Sequence, residues 1–248
     1  MTASPERTVE VVLPVFNEAI TLEKSVTAVF NYLQQQTRFR WRITIVDNAS
    51  TDSTLSIASG LAERFGGLVF VEHLSEKGRG LALRHAWLQS NADVVAYMDI
   101  DLSTNLRNFL PLVNPLLEGY VQVSIGNRLL PGAKVERQIK REIISRSYNL
   151  LVKAFFPFRQ FGDAQCGFKA LTRAAVQELV PLVADNQWFF DTELLLRAEQ
   201  LGYQIHEAPV EWIEDLDSSV KIIRTAFDDV LGLLRVRCQS LTRAKRRM

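Results

Sequence analysis

The run Val94-Val95-Ala96-Tyr97-Met98 ends abruptly in Asp99-Ile100-Asp101-Leu102-Ser103. Two carboxylates at i and i+2 leave an extended chain on the same side, because side chains alternate along a strand. Hard oxygen donors with no His or Cys beside them suit Mg²⁺ or Mn²⁺ carrying substrate phosphates. A solvated strand end, where acids are common, reads the same way on these ten residues. The elements around them must decide.

Those elements alternate. Val9–Leu13 is a β-branched run stopped by Pro14, and a helix from Thr21 to about Gln35 follows it. Arg42–Val46 predicts a second strand that ends in Asp47-Asn48-Ala49-Ser50-Thr51-Asp52, with a helix from about Ser53 to Phe65. Leu68–His73 predicts a third strand. Lys77-Gly78-Arg79-Gly80 then opens a helix, and Val94–Met98 is the fourth strand. Such alternation predicts an α/β layer with a mostly parallel sheet. Right-handed crossovers gather the polar loops at 14–18, 47–52 and 99–103 at the carboxyl ends of the strands, where open α/β sheets bind ligands. The acid pair therefore falls in a ligand-binding region.

Beyond Asp101 the pattern predicts helix over Leu106–Leu117, a strand over Val121–Ile125 and Gly126-Asn127-Arg128 after it. Arg137–Phe156 is a basic amphipathic helix ended by Pro157. Most such helices pack on their own core with a wet cationic face, and a minority lie on membranes. Asp163–Lys169 reads as a loop or short strand. Helices at about 173–182 and 190–201, a strand at Gln204–Pro209 and a helix from Val220 to about Arg237 complete the chain. One domain is expected over 1–248, with a nucleotide-binding half at about 8–103, an acceptor half at about 104–235 and a basic tail at 236–248.

Composition narrows the class. The 248 residues carry 29 basic and 28 acidic side chains, a net charge of +1, so no global field recruits nucleic acid. Cys166 and Cys238 give neither a disulfide framework nor a CxxC metal knuckle, which suits a reducing compartment. The N-terminal residues lack the charged-then-apolar form of a signal peptide. No window holds about 18 charge-poor apolar residues, so no membrane-crossing helix is expected. Arg235, Arg237, Arg243, Lys245, Arg246 and Arg247 form an acid-free end that would suit an anionic membrane surface. His73, His85 and His206 share no ligand spacing and are expected to be structural or solvated.

Taken together, Leu13–Glu18, Ile45–Asp52, Lys77–Gly80, Met98–Ser103, Gly126–Arg128, Arg141–Arg146 and Asp163–Lys169 resemble the family 2 glycosyltransferases of the GT-A fold. The resemblance spans about residues 8–235 and lies nearest the dolichyl- and polyprenyl-phosphate hexose synthases. It implies that Pro14, Phe16 and Glu18 line a nucleoside and that Asp47 accepts from a base N–H. It places Lys77 near the donor phosphates, leaves Arg79 undecided, and gives Asn48 where a second acid often stands. Asp99 and Asp101 match the DxD element that holds Mg²⁺ or Mn²⁺, and Arg128 matches an arginine that carries phosphate charge.

Arg141 and Ser145, four apart on one helix, match a pair that grips an acceptor phosphate, with Arg146 beside them. Glu136 and Glu142 are the nearest acids to Arg141 in sequence and neither stands four positions away, so no helical ion pair is expected for it. A lipid phosphate has a second pKa near ~6 and is largely ionised at neutral pH, so it needs orientation more than a strong base. Asp163 is then either a general base, as with hydroxyl acceptors, or a residue that orders its loop or the sugar. Trp188-Phe189-Phe190-Asp191-Thr192-Glu193 resembles a segment bearing sugar-facing acids. Of the pattern near Asp215–Lys221 in mannosyl members only Lys221 matches, which favours a glucose-type donor.

The resemblance thus implies inverting transfer of a hexose, with UDP-glucose favoured and GDP-mannose possible, to a polyprenyl phosphate. It implies a cytoplasmic enzyme peripheral to the membrane surface. The alternatives are a family 2 enzyme with a hydroxyl acceptor and a non-catalytic nucleotide-binding or membrane-docking module. A dinucleotide-binding oxidoreductase needs Gly-x-Gly-x-x-Gly where Pro14–Glu18 stands.

Overall fold

The computed structural model describes residues 6–36, 38–214 and 222–246. Its first half follows the expected alternation: β1 (Thr8–Val15), α1 (Leu22–Gln34), β2 (Arg40–Asn48), α2 (Thr54–Phe65), β3 (Val69–Leu74), α3 (Arg79–Gln89) and β4 (Val94–Met98). A 3₁₀ turn at Leu106–Asn108 leads into α4 (Phe109–Leu117), followed by β5 (Val123–Asn127), β6 (Lys134–Glu136) and α5 (Ile139–Phe155). Then come β7 (Phe168–Thr172), α6 (Arg173–Leu179), a 3₁₀ turn at Val180–Leu182, α7 (Phe190–Gln200), β8 (Ile205–Pro209), β9 (Glu211–Ile213) and α8 (Ile222–Arg246).

Seven strands form one sheet in the order β3-β2-β1-β4-β7-β5-β8, and β6 pairs with β9 in a separate ribbon. The seven-stranded sheet is parallel except for β7, which runs antiparallel between β4 and β5. Strand β1 survives its proline because β4 pairs with it only as far as Val12, so Pro14 lies beyond the ladder on that side. Helices cover both faces. One apolar cluster joins α1, α2 and α4 to the sheet through Leu22, Val26, Leu61 and Phe109. The other joins α3, α6, α7 and α8 through Trp87, Val176, Phe190 and Leu233. This is the three-layer α/β fold that the alternation predicts.

The sheet also fixes where a ligand belongs. From β1 the chain steps outward to β2 and β3, then returns to the other side of β1 as β4. The switch point lies between the carboxyl ends of β1 and β4, at the first loop and Asp99.

Three readings are corrected here. Strand β4 ends at Met98, and Asp99 to Asp101 lie in a turn closed by the Leu102 N–H on the Asp99 carbonyl at 3.2 Å. The i, i+2 alternation of a strand therefore does not govern the acid pair. Helix α5 packs on the core through Tyr148 and Val152, with Leu151 and Phe155 against it, but sinks only part of its apolar set and leaves Ile139, Ile143 and Leu150 exposed. Helix α8 continues to Arg246, past the end expected near Arg237.

Candidate active site

The loops after β1 and β2, expected to hold a nucleotide, are stapled together. The Asn17 N–H donates to Ser50 Oγ at 2.9 Å, and the Thr51 N–H donates to Asn17 Oδ1 at 2.8 Å. The Glu18 N–H donates to Thr54 Oγ1 at 2.8 Å, and its carboxylate accepts from the Thr21 hydroxyl at 2.7 Å. Among the described residues, left-handed backbone outside glycine occurs at Asn17 (φ 56°), Ala49 (φ 60°) and Leu102 (φ 53°). These three stand one in each loop at the carboxyl ends of β1, β2 and β4. A non-glycine residue there costs roughly 1–2 kcal/mol, and such strain gathers at ligand sites.

Asp47 is fully buried near the end of β2. Its Oδ2 lies 2.7 Å from His73 Nδ1, while Oδ1 is buried with no hydrogen-bond partner among the described residues. A buried acceptor left open suits a donor that a ligand brings. His73, expected to be structural or solvated, is half-exposed and serves as the partner of the Asp47 carboxylate. The parallel register that sets Asp47 opposite His73 is the signal that would have found it. Lys77 Nζ stands 3.2 Å from the centroid of the Phe16 ring, which joins two residues expected to serve the donor. Asn48 accepts the Gly78 N–H on Oδ1 at 2.7 Å, so it ties this loop to the start of α3. Gly78 must be glycine, because a Cβ would meet the Asn186 carbonyl oxygen at 2.6 Å.

At the end of β4 a cavity of about 220 Å³ sets Asp99 and Asp191 against four arginines, Arg79, Arg128, Arg137 and Arg141. Trp188 and Trp212 flank it, and Ser145 and Gln165 complete its polar lining. Arg79 donates to Asp99 Oδ1 at 2.8 Å and also to Asp191, and it lies over the Tyr97 and Trp188 rings at 5.1 and 5.0 Å. Burial alone would depress the Arg79 pKa, but Asp99, Tyr97 and Asp191 outweigh it and push it well above the usual value. Asp191 is buried too. Lys169 Nζ at 2.9 Å and Arg79 overcome its burial and hold its pKa below the ordinary carboxylate value. Sequence reasoning left Arg79 undecided and did not single out Lys169 or Tyr97.

Arg128 and Asp163 form one unit. Asp163 Oδ2 accepts from Arg128 Nε at 2.7 Å and from its backbone N–H at 3.2 Å, and Oδ1 accepts from the guanidinium at 2.9 Å. The Gln165 N–H adds a contact at 3.3 Å. Asp163 is fully buried. Its burial is outweighed by Arg128, which lowers its pKa to about 2. Such a carboxylate is a poor proton acceptor at neutral pH, and the geometry favours loop and arginine ordering over the general-base reading.

Arg141 and Ser145 both face the cavity from α5. Arg141 has the acid partner that local spacing excluded: its Nε lies 2.6 Å from Glu214 Oε1, just beyond β9. A tertiary contact supplied what the helix did not. Arg146 turns outward and pairs with Glu142. Glu193 is fully buried outside the cavity lining, so of the two acids in its segment only Asp191 reaches the lining, beside Trp188. The pattern at Asp215–Lys221, Lys221 included, lies outside the described residues.

Asp99 and Asp101 offer two hard carboxylate donors of the kind a divalent ion takes. Asp99 borders the arginine-lined cavity, and Asp101 borders a wider groove of about 650 Å³ shared with Arg107, Lys134 and Glu211. The Asp101 carboxylate is steadied by the Ser103 N–H at 2.9 Å and hydroxyl at 2.7 Å. Among the described residues no three acids, histidines or cysteines cluster into a closed metal cage. An ion on these two carboxylates would take the rest of its shell from phosphate and water, as Mg²⁺ commonly does. Gly167 passes so close that a Cβ there would collide with the Asp99 carboxylate. Gly167→Ala is therefore expected to turn Asp99 aside and weaken Mn²⁺ binding by about tenfold or more, the scale of a strained overpacking. Titration calorimetry with Mn²⁺ checks this.

The sheet order, the switch point and the acidic turn define a GT-A glycosyltransferase fold. A model of the family described as glycosyl transferase family 2 matches residues 10–180, and the chain belongs to that family. It is 35% identical over 226 residues to glycosyltransferase AglD of Haloferax volcanii, which covers 91% of this chain and 35% of that protein. It is 29% identical over 245 residues to dolichyl-phosphate beta-glucosyltransferase ALG5D of Trichomonas vaginalis, covering 94% of this chain and 73% of the relative. The chain thus spans about a third of the first relative and about three quarters of the second.

Among solved structures it resembles glucosyl-3-phosphoglycerate synthase of Mycobacterium tuberculosis, with a TM-score of 0.71 and 23% identity over 94% of this chain and 81% of that one. The same enzyme in complex with Mn²⁺ and UDP-glucose gives a TM-score of 0.68, again at 23% identity, over 94% of this chain and 79% of that one. Likeness at this identity speaks to the fold.

Proposed function

We propose that this chain transfers glucose with inversion from UDP-glucose to the phosphate of a polyprenyl phosphate at a membrane surface. The observation that carries the reading is the cavity in which Arg141 and Ser145 of α5 face Asp99, Arg79 and Arg128 of the sheet side. Cationic and hydroxyl donors on α5 suit an anionic nucleophile, and those at the strand ends suit a leaving diphosphate. The names of the dolichyl-phosphate beta-glucosyltransferases among its relatives support the sugar and the acceptor.

Each residue then has a task. Asp47 Oδ1 accepts a base N–H while His73 fixes the carboxylate. Phe16, Pro14 and Glu18 bound the nucleoside, and Lys77 meets the phosphates. Arg128, aimed by Asp163, offers charge to the departing diphosphate. A divalent ion on Asp99 and Asp101, Mg²⁺ or Mn²⁺, would stabilise the negative charge that develops there. Arg141 and Ser145 orient the acceptor phosphate, whose own ionisation supplies the nucleophile.

Docking follows from α5. No helix among the described residues is long and apolar enough to cross a membrane. Ile139, Ile143 and Leu150 are exposed on α5, Phe158 stands exposed just after it, and Lys140, Arg146 and Lys153 are exposed among them. Apolar and cationic groups on one helix beside the acceptor cavity suit the surface of an anionic bilayer, at the cytoplasmic face.

Incubation of the chain with labelled UDP-glucose or GDP-mannose, a short polyprenyl phosphate, and Mg²⁺ or Mn²⁺ tests the reading. Glucose is expected in the lipid extract, and EDTA is expected to abolish it. Mannose in the extract would reassign the donor, and no lipid-bound sugar from either donor would sink the proposal.

A further inference from the structure

Glu193 lies on α7, fully buried and outside the cavity lining, yet its carboxylate holds the backbone of a segment that leads to the donor side of the site. Its Oε2 accepts the backbone N–H groups of Ala184 and Asp185 at 3.1 and 3.0 Å. The three residues that follow grip the opening of α3. The Asn186 carbonyl accepts the Leu81 N–H at 3.0 Å, Gln187 Nε2 donates to the Lys77 carbonyl at 3.1 Å, and the Trp188 ring lies 5.0 Å from the Arg79 guanidinium. Arg79 in turn holds Asp99.

Two cations hold the Glu193 carboxylate. Arg197, one turn along α7, meets Oε1 at 2.9 Å, and Arg235 of α8 meets Oε2 at 2.6 Å. Helix α8 packs into the same apolar cluster as Phe189 and Leu194 through Leu233 and Val236, so Arg235 arrives on a rigid element. The Oε2 atom thus joins α8 to the 184–188 segment directly.

We propose that Glu193 is a positioning residue for the donor-phosphate side of the cavity, and that Arg235 makes the C-terminal helix part of that device. The role presupposes that the cavity takes a sugar nucleotide, as proposed above. Loss of the Glu193 charge loosens the 184–188 segment, and Lys77 and Arg79 lose their support while Arg141 and Ser145 on α5 keep theirs. The acceptor side should therefore be spared.

UDP binding to the full chain in the presence of Mn²⁺ is measured by calorimetry for wild type, E193Q, R235M and R235K, together with donor and acceptor KM. Arg235 is partly exposed, so R235M is expected to fold even if E193Q does not. R235M is expected to weaken UDP by about fivefold and E193Q by about tenfold or more, the scale of a lost charge-assisted hydrogen bond. R235K is expected to return within about twofold of wild type, and acceptor KM should stay unchanged. Equal UDP affinity in wild type, R235M and E193Q overturns the role, as does a matched rise in donor and acceptor KM. A wild-type chain that binds no UDP overturns the sugar-nucleotide reading itself, and the role with it.

Discussion

Asp99→Asn is expected to lower glycosyl transfer by about a thousandfold, or ~4 kcal/mol of transition-state stabilisation. The substitution keeps the volume of the side chain and removes its charge. A neutral amide oxygen is a much weaker ligand for a hard divalent ion, so Mn²⁺ affinity should fall with the rate. Folding should be little affected: Asp99 is partly exposed, and Arg79 keeps its second carboxylate at Asp191. Steady-state rates across a Mn²⁺ titration, read beside a melting curve, separate these effects. Full activity at ordinary Mn²⁺ concentration would remove Asp99 from the metal site and the DxD assignment with it.

The largest stability effect is expected at Asp163. Asp163→Asn leaves Arg128 buried and charged with an amide in place of its bidentate partner. Breaking a buried pair from one side costs about 3–5 kcal/mol, so a large fall in melting temperature is expected. Catalysis should suffer less. Well below the melting temperature, kcat should fall by less than about a hundredfold, because Arg128 is misaimed and no base is lost. A loss of several orders of magnitude in a folded D163N chain would establish the base role and count against a phosphate acceptor.

The same pair sets an acid limb. Asp163 has a folded pKa of about 2, below its ordinary value of 3.8, so the unfolded chain binds this proton more readily. The stabilisation is fully present above pH ~4 and is lost as pH falls through about 2, amounting to about 2 kcal/mol in all. Acid unfolding of D163N should lack this component, which denaturant titrations between pH 2 and 6 can resolve.

Local pattern was enough for the first hundred residues. Val9–Leu13, β-branched but for Glu10 and Leu13, and the apolar Val94–Met98 are runs too short for helices, and each is bounded by polar or proline punctuation. Their alternation with helical segments leaves few topologies open once crossovers are right-handed. The loops at 14–18 and 47–52 therefore meet where expected, and the loop at 99–103 follows β4, the neighbour of β1.

The second half resisted for physical reasons. Strands β6 and β9 are three residues each and carry no period to detect. Strand β7 enters between β4 and β5 through pairings that depend on the whole sheet. Arg141 looked free of acid partners because only helical neighbours could be counted, and Glu214 comes to it from another element. Arg79 and Asp191 stand 112 residues apart and share a hydrogen bond.

By itself the sequence determined the α/β order, the three loops at the strand ends and the two carboxylates at Asp99 and Asp101, because each follows from local periodicity and side-chain chemistry. Only the tertiary structure decided what those carboxylates face. It closed the Leu102 N–H onto the Asp99 carbonyl, so a turn and not a strand presents the acids. It also brought Arg79, Asp191 and Lys169 together beside Asp99 and set the buried Asp163 against Arg128. Charges find partners through space, and nothing in local spacing could assign them.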